Sequence, residues 1–274
     1  MGQRFRVSRR GRPVAGFGFS LYERIHFLRG LEATWMDIHE EPEHLHELID
    51  LLVNMNLVAV KKYAEAGVSN ILALGGDAPR DLTAYVKAND AFQHAGDLVR
   101  FIRKFNESGV HPDKRGFGIG VAGFPEGHPT TPNRLDELEH TRAKVDEGAD
   151  YICTQLFFDN RDFYDYRERC ELAGIAAPII AGIMPVTSLS SMKRMAQLAL
   201  GARFPARLTR ALQRCQDDPA AVRNVGIHWA TEQCRDLLDN GVKGIHMYTL
   251  NKSDATRQIY QNLGLRDSMV VRKR

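Results

Sequence analysis

The sequence predicts an α/β fold, a (β/α)8 TIM-type barrel. Three observations predict it. Short and nearly continuous apolar runs alternate with segments of helical period, as expected of parallel strands covered on both faces. Polar residues collect where those runs end: Glu126 and His128 after one, Thr154, Gln155 and Asp159 after the next. That edge is where a β/α barrel places its chemistry. Finally, 274 residues with 43% hydrophobic and 26% charged content suit one barrel core, for which about 250 residues is typical.

The formal charge is +3, and Arg4, Arg6, Arg9, Arg10 and Arg12 stand in an acid-free N-terminus. Residues 1–12 are therefore expected to be an Arg-rich solvated tail, with a transit peptide as the alternative. Residues 13–274 are expected to form a single β/α-barrel catalytic domain. The rest of the chain is nearly charge-balanced, which argues against a nucleic-acid surface. No apolar run approaches the roughly 18 residues of a membrane span. Cys153, Cys170, Cys215 and Cys234 lie far apart with no CxxC pair, which points to a reducing, cytoplasmic setting and to Cys153 as a small core residue.

Pro13 to Phe19 and Thr34 to Ile38 could be short strands, and Ser20 to Leu31 has helical spacing with a capping-box start at Ser20 and Glu23. His39, His44 and His46 among acids invite a metal reading, but their order does not match HExxH, and Pro42 with its acids reads as a helix's first turn. No metal is expected. Glu43 to Ala66 is a predicted helix ended by Gly67. Asn70 to Leu74 is a predicted strand that opens into Gly75-Gly76-Asp77, where two glycines allow a close backbone approach to a ligand.

Ala91 to Phe105 is a predicted helix. Gly116 to Gly123 is a predicted strand whose glycines clear space for neighbours. Asn133 to Glu147 is a predicted helix, Tyr151 to Phe158 a strand, and Tyr164 to Leu172 a helix closed by Gly174. Pro178 to Pro185 is a strand. Ser190 to Asn240 is mostly helical with a break at Asp217-Asp218-Pro219, and Gly241 closes it. Gly244 to Leu250 is the last strand, before a final helix. Right-handed βα crossovers make a parallel barrel the economical arrangement. GxGxxG before a helix, GxxxxGK[ST] and GxSxG are all absent, which leaves out Rossmann, P-loop and nucleophile-elbow sites.

In order and spacing, NILALGGDAP, GIGVAGFPEGHP, KVDEGADYICTQLFFDN, PIIAGIMPV and GIHMYTLNK resemble methylenetetrahydrofolate reductase, from about Val58 to about Leu263. The resemblance implies a barrel that binds FAD, takes hydride from NADH or NADPH as co-substrate, and reduces 5,10-methylenetetrahydrofolate to 5-methyltetrahydrofolate, supplying methionine synthesis. It implies Gly76 and Asp77 beside the flavin, with Asp77 the catalytic candidate, also facing the pterin. Ala95 would lie toward the adenine, and Ala122, Phe124 and His128 along the cofactor. Glu137 and His140 stand where the family has polar FAD contacts, and Lys144 would meet the diphosphate. Gln155, Ser191 and Lys252 would contact the reduced folate, Lys252 replacing an arginine and losing its planar fork. A homo-oligomer with no nucleic-acid or membrane partner is expected.

The departures lie at the N-terminus. The family's strand-one motif, which carries the glutamate thought to act as general acid, has no counterpart in Ala15 to Ser20, and only Thr34-Trp35 survives of the next turn. Opening the folate's imidazolidine ring needs an acid within hydrogen-bond reach. Glu23, Glu32, Glu40 and Glu41 are candidates by position. Two alternatives follow: a non-catalytic folate- or flavin-binding relative or partner subunit of a complete reductase, and a metal-dependent barrel hydrolase using His39, His44 and His46.

Overall fold

In the computed structural model, the structure describes residues 68–74, 94–128 and 131–265, apart from positions 110, 112, 132, 200, 201 and 251, together with the isolated residues 43, 47 and 65. The expectations for residues 1–42, for His44 and His46, and for Gly75, Gly76 and Asp77 fall outside the described residues. The chain divides into two compact units, Met1–Ile119 and Gly120–Arg274.

In the first unit, β1 (Asn70–Ala73) lies beside the start of β2 (Gly118–Gly123), and Gly118 N–H donates to Ser69 O just ahead of β1 at 2.8 Å. Helix α1 (Ala95–Glu107) buries Val99 and Ile102. Asp97 caps its start by accepting from His94 N–H at 2.9 Å. Asn106, in its last turn, holds the approach to β2: its side chain accepts from Phe117 N–H and donates to Phe117 O, both at 2.8 Å. The glycines of this run do clear space. A Cβ at Gly116 would collide with the Asn106 side chain, and one at Gly118 with that of Asn70.

In the second unit the remainder of β2 pairs with β3 (Tyr151–Thr154), which pairs with β4 (Ile179–Ile183), which pairs with β5 (Ile245–Met247), all in parallel. Helices α2 (Arg134–Asp146), α3 (Asn160–Leu172), α4 (Leu189–Leu198), α5 (Ala206–Arg214), α6 (Pro219–Asp239) and α7 (Asp254–Asn262) connect and follow them. Consecutive parallel strands joined by helices in sequence order are the staves of a TIM-type β/α barrel.

Local chemistry sets the boundaries. Asn133 caps α2 by accepting from Leu135 N–H at 3.0 Å, and Asp218 caps α6 through Ala220 and Ala221 with Pro219 in the first turn. Gly148, Gly174 and Gly241 follow α2, α3 and α6 at positive φ.

Three boundaries differ from the sequence reading. Strand β3 ends at Thr154 rather than Phe158, because Leu156 N–H is taken by the Gln155 side chain at 3.0 Å and the chain leaves the ladder there. Helix α3 begins at Asn160 rather than Tyr164, since Asp159 accepts from Arg161 N–H and caps it. The long helical stretch breaks twice, the additional break ending at Pro205, which immediately precedes α5.

A buried cluster forms beyond the ends of β3 and β4, where Leu156, Phe158 and Val186 pack with Met195, Leu208, Leu212 and Val222. Phe158 stacks on Phe204 at 4.4 Å between centroids, and Trp229 Nε1–H donates to Phe158 O at 3.0 Å. Helix α6 approaches the segment after β4 so closely that any Cβ at Gly226 would overlap the Val186 carbonyl.

Candidate functional site

The candidate site lies in the second unit, at the segments that leave the C-terminal ends of its parallel strands. The segment after β2 holds Phe124 and His128 edge to face, with centroids 4.7 Å apart, and Gly127 N–H closes the turn on Phe124 O at 3.0 Å. Gly127 takes φ 91°, which a side chain would strain. Lys144, on α2, reaches this segment: Nζ donates to Ala122 O at 2.7 Å and stands 5.9 Å from the Phe124 ring centroid. Gly123 O, the next carbonyl along, accepts from Gln155 N–H at 2.7 Å. Carbonyls alternate sides along a strand, so Ala122 O points away from β3 and is open to the lysine.

Desolvation dominates the electrostatics here. Burial holds the Lys144 ammonium below its ordinary pKa, with Glu137 opposing that shift. Glu137 is only 3% exposed, and burial raises its pKa against the nearby charges of Lys144 and His140. Glu137, Thr141 and Lys144 share one face of α2 by their spacing of four and three. Thr141 Oγ1 lies 3.4 Å from Glu137 Oε1 and 3.3 Å from the buried Tyr166 hydroxyl. His140, on the same helix, is exposed.

Glu126, between Phe124 and His128, is tied to Arg203. Its Oε1 accepts from Arg203 N–H at 2.9 Å and from Arg203 Nε at 3.0 Å, and Arg203 reaches on to Asp162 at 2.6 Å. The Glu126 side chain is 5% exposed, and its Oε2 is buried with no partner among the described residues. Burial raises the pKa of Glu126 despite the guanidinium. The sequence reading picked out Glu126 but missed Arg203 and Asp162. Arg203 sits in the unexpected break before α5, and no local pattern links it to a carboxylate 77 positions away.

The other residues picked from the sequence occupy separate places. Ala95 opens α1 in the first unit. Ser191 lies in the first turn of α4, where its hydroxyl donates to Ser188 O at 2.7 Å and accepts from Ser188 N–H at 3.0 Å, as a helix cap. Lys252 is exposed in the turn before α7, its N–H donating to Thr249 O at 2.8 Å. Tyr248, not picked from the sequence, is half-buried; it donates its hydroxyl to Thr154 O at 3.0 Å and ties the end of β5 to the end of β3. Cys153 is buried and its thiol is pushed up to about 11, so it behaves as a core residue. Among the described residues no group of three or more His, Cys, Asp and Glu side chains could hold a metal ion. No described helix is long and apolar enough to cross a membrane.

Residues 49–264 match the model of the family described as methylenetetrahydrofolate reductase. The chain belongs to that family. It is 38% identical over 223 residues to methylenetetrahydrofolate reductase (NADH) 1 of Arabidopsis thaliana, an alignment covering 78% of this chain and 36% of the relative. Against methylenetetrahydrofolate reductase 1 of Schizosaccharomyces pombe it is 38% identical over 210 residues, covering 76% and 33%. Methylenetetrahydrofolate reductase 2 of Saccharomyces cerevisiae gives 38% over 211 residues, covering 76% and 34%. The chain thus spans about a third of the length of these relatives. Among solved structures, an uncharacterized protein from Clostridium thermocellum that binds two copies of 5-methyl-5,6,7,8-tetrahydrofolic acid aligns with a TM-score of 0.47 at 19% identity, over 73% of this chain and 76% of that one. The family match takes in Gly76, Asp77, the segment from Phe124 to His128, Lys144, Gln155 and Lys252.

Proposed function

We propose that this chain is the catalytic barrel of an FAD-dependent reductase that converts 5,10-methylenetetrahydrofolate to 5-methyltetrahydrofolate with NADH or NADPH, residues 13–274 forming one domain behind the tail of residues 1–12. The observation that carries the reading is the Lys144 ammonium at Ala122 O beside Phe124, inside the segment that matches the family. Its one hydrogen bond among the described residues leaves two of its three donors for a ligand. A desolvated cation at a strand-end edge suits a diphosphate, whose charge would offset the cost of its burial.

FAD, when bound, supplies the relay of hydride from the nicotinamide to the folate's methylene carbon. On this reading Lys144 binds the diphosphate, with Glu137 and His140 flanking it on α2. Phe124, His128 and Ala122 would contact the cofactor, with Gly76 and Ala95 as further candidate contacts. Asp77 would supply negative charge toward the ring and the pterin. Gln155, with Oε1 turned back to Leu156 N–H, keeps its amide N–H donors for the pterin, while Ser191 and Lys252 would be the contacts for the rest of the folate. Arg203 and Glu126 hold the segment that carries Phe124 and His128.

Equilibrium dialysis of FAD against the purified chain tests this reading. Saturable binding that weakens at least tenfold in Lys144→Met is expected, and equal affinity in both proteins contradicts it.

A second reading has its own observation. The family match begins at residue 49, and residues 1–48 carry no counterpart of the family's glutamate motif. A flavin- or folate-binding relative that pairs with a complete reductase would bind FAD yet fail to turn over until the partner is added.

A further inference from the structure

The geometry points to a second anion site, for a small polyphosphate of the kind carried by nucleotides, in the cleft between α5 and α6. The cleft has a volume of about 760 Å³, within the range of small-molecule sites. One wall is cationic: Arg207, Arg210 and Arg214 follow one another at spacings of three and four and so share a face of α5. The opposite wall is Asn224 and His228, one turn apart on α6, with the Trp229 indole beside them. Among the described residues no carboxylate lines the space.

Arg134, Arg161, Arg169, Arg203 and Arg235 each lie within ion-pair distance of an aspartate or glutamate. Arg207, Arg210 and Arg214, like Arg167, Arg194, Arg223 and Arg257, have no such partner among the described residues, and of these seven only Arg207, Arg210 and Arg214 line the cleft. Arg210 is anchored by its Nε–H to Ala206 O at 3.2 Å, which leaves its terminal amino groups uncommitted. Three guanidiniums crowded on one face repel one another, and a multiply charged anion relieves that repulsion while matching their planar forks. His228 adds a ring N–H donor on the wall opposite the arginines. Trp229 is fixed by Nε1–H on Phe158 O, so its ring offers a preset apolar surface against which a nucleobase could stack.

The test is isothermal titration of the full chain with sodium tripolyphosphate and, separately, with ATP. Saturable one-to-one binding of tripolyphosphate is expected. It should weaken at least tenfold in the double variant Arg210→Gln/Arg214→Gln, and equally in Asn224→Asp, which puts a carboxylate on the opposite wall without touching α5. Lys144→Met should leave it unchanged, which separates this site from any diphosphate site at the strand ends. ATP binding at least tenfold tighter than tripolyphosphate assigns the site to a nucleotide, and equal affinities assign it to the phosphate chain alone. Absence of saturable binding at millimolar ligand overturns the inference. So does binding that survives both cleft variants or disappears in Lys144→Met.

Discussion

Arg203 gives both its backbone N–H and its Nε–H to a single oxygen of Glu126, leaving the other carboxylate oxygen buried and unpartnered among the described residues. A carboxylate 5% exposed is thereby held against a guanidinium that is itself 61% exposed. Arg203→Ala keeps the backbone N–H on Glu126 but removes the guanidinium, and should lower stability by about 1.5–3 kcal/mol, the worth of a hydrogen bond to a charged group, measured by urea unfolding.

The same carboxyl sets a pH dependence. Burial raises its folded pKa above the ordinary 4.5, so between those values the folded chain keeps a proton that the unfolded chain has released. Stability contributed by that proton is present below 4.5 and falls as pH rises to the folded pKa. Glu137 acts in the same direction. Glu126→Gln should flatten the fall, and denaturation midpoints measured from pH 4 upward will show it.

Lys144 works at the other end of the scale. Its folded pKa lies below 10.5, so the folded chain loses the proton first and stability rises with pH from the folded value to 10.5. Lys144→Met should abolish that alkaline rise, and unfolding midpoints from pH 8 to 11 will test it.

Gly226 has no room for a side chain, because the Val186 backbone occupies the position of its Cβ. Gly226→Ala should cost about 1–3 kcal/mol through overpacking against a backbone that cannot swing aside. An unchanged thermal midpoint would contradict this close approach.

The cysteines should separate by burial. Cys215 is partly exposed, whereas Cys153, Cys170 and Cys234 are buried, with the Cys153 thiol pushed up to about 11 and that of Cys234 to about 12. A thiol-specific disulfide reagent at pH 8 should label Cys215 first, and the other three only after denaturant is added.

Much of this was legible in the sequence because it is local. Asn133, Asp218 and Pro219 announce helix starts, Gly174 and Gly241 announce ends, and the apolar runs around Val121, Ile152 and Ile180 are too short and too continuous for anything but buried strands. What escaped was non-local. Arg203 meets Glu126 only once α3 and the segment before α5 are in place, and Tyr248 meets Thr154 only across β4. The end of β3 was misjudged because Leu156, Phe157 and Phe158 are as apolar as strand residues. Their burial comes from the cluster beyond the sheet, and periodicity cannot distinguish the two. Gln155 stood out as a polar residue at a strand end, but its role, and Lys144 altogether, were reached through resemblance, since a single lysine or glutamine carries no chemical signal of its own.

The most direct measurement is the visible spectrum of the FAD-loaded chain, followed in one cuvette through addition of NADH or NADPH and then 5,10-methylenetetrahydrofolate. The account predicts flavin bands that bleach on the first addition and return on the second, with 5-methyltetrahydrofolate formed in proportion. A flavin that bleaches but is not reoxidised by the folate, or a chain that takes up no FAD, would contradict it.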